Sequence, residues 1–115
     1  MKGELANYSI QFSLRIVSYY KWLTETQREY VMARQILRSG TSIGANIHEA
    51  EYAISKADFI NKIQIAAKEA NETEYWLIIL EQSGFFDESF DDLKQLLKSL
   101  ILMLTATLKT SKNGK

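Results

Sequence analysis

His48 and Glu49 are neighbours in a stretch of helical periodicity, and a His-Glu pair is how a zinc-protease motif begins. That motif requires a second histidine four residues after the first, where this chain has Tyr52. His48 is the only histidine and Ala45 stands three residues before it, so the Glu-x-x-His pairs of a di-iron carboxylate bundle are missing. With no cysteine either, no thiolate site is available. The expectation is no metal and no cofactor, with His48 as a surface or interface residue.

Carboxylates are frequent in one later segment, at Glu69, Glu72, Glu74 and Glu81. Glu74 projects to the flank of an apolar stripe near Ala67 and Ala70, the setting in which a carboxylate can serve as a general acid. Catalysis also needs a partner group, and none stands at a suitable spacing, so a glutamate paired at a helix interface is expected. Ser39, Thr41 and Ser42 beside Arg38 could supply a nucleophile or a phosphate contact. Small hydroxyl residues beside glycine more commonly bond the preceding helical turn. Gly40 and Gly44 lie within helical periodicity, which excludes a strand-to-helix phosphate loop. These residues therefore predict no enzyme.

Four helices are expected to carry these residues. The chain has no proline, and apolar residues recur at intervals of three and four throughout. Leu5, Tyr8, Phe12, Ile16, Tyr19, Tyr20 and Leu23 form one stripe, predicting a helix over about 5–24. Thr26 with Glu29 reads as a capping box opening a helix over 27–53, with Ile36, Gly40, Ile43, Ile47 and Ile54 on its inner side. Ser55 and Asp58 predict the start of a third helix over 56–83, with Phe59, Ile63, Ala66, Ala70, Thr73 and Leu77 inside and Gly84 closing it. Asp87 or Ser89 opens a fourth over 88–109, carrying Phe90, Leu93, Leu97, Leu100, Leu104 and Leu108. The tail from Thr110 is expected to fray. Short connections make consecutive helices neighbours, so the fold predicted is all-α, an up-down-up-down antiparallel four-helix bundle in a single domain over 1–115.

Two glycines four apart inside a buried helix each cost about 1 kcal/mol relative to alanine, so Gly40 and Gly44 predict close packing of another helix. Asn46 projects beside Ser39 and Ser42 and is expected to fix helix register through a buried hydrogen bond. The chain also has more apolar residues than one core needs. Ile10, Leu14 and Val17 lie opposite the core stripe of the first helix, and Ile65, Trp76 and Ile79 lie off that of the third. Such patches predict an interface between copies of the chain.

The 115 residues carry 14 basic and 14 acidic side chains, so the chain as a whole lacks the positive balance that signals nucleic acid. A modest basic surface would result if Arg15, Lys21, Arg34 and Arg38 meet in space, and they are the candidate contacts for RNA, DNA or a protein that handles nucleic acid. No apolar run reaches the roughly 20 residues needed to cross a bilayer, and no secretion signal is evident. A cytoplasmic protein without a membrane partner is expected.

From Leu37 to Leu80 the chain reads LRSGTSIGANIHEAEYAISKADFINKIQIAAKEANETEYWLIIL. In RSGTSIGANI, SKADFI and KEANETEYWL it resembles the small proteins encoded in intervening sequences of bacterial 23S ribosomal RNA genes. The resemblance implies a four-helix bundle that assembles into a homo-oligomer, a five-membered ring. It also implies kinship with the accessory protein of diversity-generating retroelements, a basic bundle that binds nucleic acid and a reverse transcriptase. Members of the closer family largely lack an assigned activity.

Overall fold

In the computed structural model, which describes residues 3–113, each apolar stripe folds inward as one helix. These are α1 (Glu4–Lys21), α2 (Val31–Ala50), α3 (Lys56–Gln82) and α4 (Phe90–Lys112). Each packs on the next and α4 returns to α1, so α1 lies diagonally opposite α3, and α2 opposite α4. The rod measures 47 × 21 × 20 Å. Its centre is made by fully buried side chains from all four helices, among them Phe12, Ile16, Ile36, Ile43, Ile63, Leu77, Leu100 and Leu104.

The helix ends show where local chemistry overrides periodicity. Helix α1 does not run straight to residue 24; it ends at Lys21 and passes into a single π turn, Trp22–Thr26. The capping box expected of Thr26 and Glu29 does not form. Glu29 itself caps α2, its two carboxylate oxygens accepting from the N–H groups of Met32 (3.2 Å) and Ala33 (2.9 Å). A carboxylate there satisfies two orphan donors and faces the positive end of the helix dipole. Arg28 makes the change of direction by adopting φ +55°. That left-handed backbone costs a residue with a Cβ about 1 kcal/mol. Arg28→Gly is therefore expected to raise the unfolding free energy by about 0.5–1 kcal/mol, read as a higher urea midpoint at unchanged slope. A lower midpoint would contradict this account.

The other end signals act as the sequence implies. Ser55 Oγ accepts from the Asp58 N–H (3.0 Å), while an Asp58 carboxylate oxygen accepts from the Ile54 N–H (3.2 Å). Gly84, at φ +88°, ends α3. Its N–H donates to the Glu81 carbonyl and the Phe85 N–H to the Leu80 carbonyl, the pairing that closes a helix through a left-handed glycine. Tyr19 then fastens the following loop, its hydroxyl donating to the Phe85 carbonyl at 2.6 Å. Burial, with Asp87, Glu29 and Glu81 nearby, holds that phenol neutral well above its ordinary range. Asp87 caps Ser89 through both its N–H and its hydroxyl. Helix α4 continues to Lys112, beyond the expected fray point at Thr110, because its backbone ladder remains intact to Asn113. Residues 114–115 of the expected tail lie outside the described residues.

One expected core residue is misplaced. Helix α2 stops at Ala50, so Ile54 falls in the turn that follows and is 93% exposed.

Candidate assembly surfaces

The seam between α1 and α2 is built from small residues. A Cβ on Gly40 would lie 2.9, 3.0 and 3.1 Å from Cγ1, Cγ2 and Cδ1 of Ile16, and one on Gly44 would lie 3.1 Å from Ser13 Oγ and 3.4 Å from the Ser9 carbonyl oxygen. Both glycines thus face α1 at short range. At Gly40 the Ile16 side chain fills the space, whereas at Gly44 the Ser13 hydroxyl comes nearest and the Ser9 carbonyl oxygen next. These contacts place residue 16 beside residue 40, with Ile10, Leu14 and Val17 on the outer side of α1 beside α2.

The seam between α2 and α3 is polar. Ser42 bonds the carbonyl of the preceding turn at Arg38, and Thr41, outside the seam, does the same at Leu37, as small hydroxyl residues do. Asn46 does not fix register: its Nδ2 donates to the Ser42 carbonyl (2.9 Å) in its own helix, which the side chain reaches without crossing the seam. Register is held instead by Ser39 and Thr73, both fully buried, with hydroxyl oxygens 3.0 Å apart. Thr73 Oγ1 is also bonded to the Glu69 carbonyl at 2.8 Å. A hydroxyl has one proton, so Thr73 donates to Glu69 and accepts from Ser39.

That arrangement makes the pair asymmetric. Thr73→Val removes the one partner that the Ser39 hydroxyl has among the described residues and is expected to cost about 1–3 kcal/mol, although valine has the shape of threonine. Ser39→Ala leaves Thr73 bonded to Glu69 and should cost less. The double variant should recover much of the Thr73→Val loss; additive losses in denaturant midpoints would refute the proposed donor order.

Outside this pair, Arg38 bonds Glu69 (3.4 Å) and Glu72, and Glu72 also accepts from Trp76 Nε1 (3.1 Å). Lys62 bonds Glu49 at 3.0 Å, which holds the ammonium charged to higher pH than usual. Glu74 is exposed on the α3–α4 side. His48 is exposed and tilts against Tyr52, with ring centroids 5.4 Å apart. Among the described residues, no three His, Cys, Asp or Glu side chains converge where they could hold a metal ion.

The four basic residues do not form one patch. Arg15 lies within 4.0 Å of Asp92 at the α1–α4 seam, whereas Arg38 is at the α2–α3 seam, on another side of the rod. Lys21 and Arg34 are exposed and, among the described residues, have no ion-pair partner. The antiparallel register sets these two at a similar level near one end.

The apolar stripes also differ from each other. Leu14 is 63% and Ile10 59% exposed, with Val17 half-buried beside them. Ile65, Trp76 and Ile79 are each half-buried, because they lie on the side of α3 that leans toward α2, where Trp76 packs on the core. Exposed Tyr75 and Val31 extend this second surface. Val31 stands alone among polar residues on the outer face of α2, so spacing shows no stripe there.

An antiparallel four-helix bundle with apolar side chains on two sides of its exterior is the class these features define. The chain belongs to the 23S rRNA-intervening sequence protein family, whose model matches residues 2–106. It is similar to the crystal structure of a protein of unknown function from the S23 ribosomal protein family of Bacteroides thetaiotaomicron. The two are 48% identical with a TM-score of 0.89, over 92% of this chain and 99% of that one. No curated protein matches. Among the described residues, no helix is long and apolar enough to cross a membrane.

Proposed function

We propose that the protein is a non-enzymatic scaffold that works as a homo-oligomer, with its α1 stripe docked on the α3 surface of the next copy. The observation that carries this reading is the exposure of Ile10 and Leu14 on a bundle whose core is already filled. Contiguous apolar surface of this kind marks association. Because the two surfaces occupy different sides of the rod, the contact is head-to-tail, the kind that forms a ring when its rotation closes. Five copies is the number the family resemblance implies. Light scattering at micromolar concentration tests the reading: a mass several times 13.2 kDa supports it, and a mass of one chain refutes it.

A second reading, that the assembly engages RNA, DNA or a nucleic-acid-handling protein, draws on Lys21 and Arg34. A ring would repeat this exposed, unpaired pair on each copy, and repetition strengthens weak contacts. Fluorescence anisotropy with structured RNA and duplex DNA at low salt tests it. Binding that falls with salt and is lost in Lys21→Glu/Arg34→Glu supports it, and no binding at low salt counts against it.

A further inference from the structure

On the α2 side of α3 a tryptophan is tied down at the surface of the bundle. Trp76 is half-buried, and its Nε1–H donates to a Glu72 carboxylate oxygen at 3.1 Å. Glu72 lies one turn earlier in α3 and is itself bonded by Arg38 of α2, which also reaches Glu69 at 3.4 Å. Tyr75, 55% exposed, meets the indole edge to face with ring centroids 5.2 Å apart. A large aromatic side chain whose rotamer is fixed before a partner arrives is what a docking anchor requires. Immobilising a free side chain on binding would weaken the contact by about three- to tenfold.

We infer that Glu72, held by Arg38, is a positioning residue that presents Trp76 as the anchor for the α1 stripe of the next copy. This role rests on the side-by-side reading, and it takes Arg38 out of the expected nucleic-acid contacts and into assembly.

The chemistry of the two surfaces selects that occupant. The one polar atom of the indole is already bonded within the chain, so Trp76 offers a partner only carbon. The outer side of α1 around Ile10, Leu14 and Val17 is aliphatic, with Arg15 turned to the α4 seam. A tryptophan beside a tyrosine can also stack on the bases of a single strand. Here the cluster beside them sets two carboxylates, Glu69 and Glu72, against one guanidinium, a negative balance that repels a phosphate backbone.

The test uses the full-length chain. In Leu14→Glu, studied as single chains by NMR, the indole N–H of Trp76, identified by its loss in Trp76→Phe, should exchange with solvent more slowly than in Leu14→Glu/Glu72→Ala. Glu72→Gln, which keeps an acceptor oxygen, should restore the slow exchange. With Leu14 in place, Glu72→Ala should raise the dissociation constant of each contact by about three- to tenfold, and Glu72→Gln by less than about twofold. Losses from Leu14→Ala and Trp76→Phe should be non-additive by about twofold or more, because the two side chains touch across the contact. Equal exchange with and without the Glu72 carboxylate, a Glu72→Ala chain that assembles as tightly as wild type, a Glu72→Gln chain as weak as Glu72→Ala, or additive losses at Leu14 and Trp76 overturns the proposal. Failure of the side-by-side reading is seen separately, as a wild type with the mass of one chain or as equal masses for wild type and Leu14→Glu, and it removes this role as well.

Discussion

Leu14→Glu is expected to leave the bundle folded and, on the proposed side-by-side docking, to give single chains of 13.2 kDa in place of an oligomer. Leu14 is 63% exposed on the outer side of α1, so a glutamate there remains in water and disturbs no core contact. Helix content and thermal transition should change little, because surface substitutions of this kind stay within about 0.5 kcal/mol. At an interface the effect differs. Burying a leucine contributes about 1.5–3 kcal/mol, and burying an unpaired carboxylate instead adds a desolvation cost. Each contact should weaken by 3 kcal/mol or more, over about a hundredfold. Light scattering on wild type and variant decides the matter: the same oligomeric mass for both would remove α1 from the interface.

Gly40→Val should destabilise the chain by about 3 kcal/mol, the largest loss expected from any single added side chain here. Even a methyl group at Gly40 would sit 2.9–3.1 Å from three carbons of Ile16, and Ile16 is fully buried. Overpacking a filled core costs about 1–3 kcal/mol, and a β-branched residue loses rotamer freedom in a helix as well. Gly44→Ala is the control. Its nearest neighbour is the half-buried Ser13 hydroxyl, which can rotate, and alanine gains about 1 kcal/mol in helix propensity, so the midpoint should hardly move. Urea titrations with unchanged slopes measure both. Equal behaviour of the two variants would show that the seam yields as a whole.

The candidate surfaces were legible to different degrees, for physical reasons. Ile10 and Leu14 stand opposite the core stripe by spacing alone, and side chains so placed cannot reach a core on the far side of their own helix. Trp76 was harder to place, because a long indole at the flank of α3 can lean onto the neighbouring helix, and it does so while bonding Glu72. The arginines could be counted but not grouped, since Arg15 and Arg38 point into seams on different sides of the rod.

Periodicity alone determined that this chain forms four helices, which residues line the core and where Ser55 and Gly84 set helix limits. All of these follow from interactions within a few residues of chain. Tertiary structure decided that Ser39 and Thr73 hold register in place of Asn46, and that Arg15 and Arg38 part to different seams. Each depends on where a second helix lies in space, and local spacing carries no information about that distance.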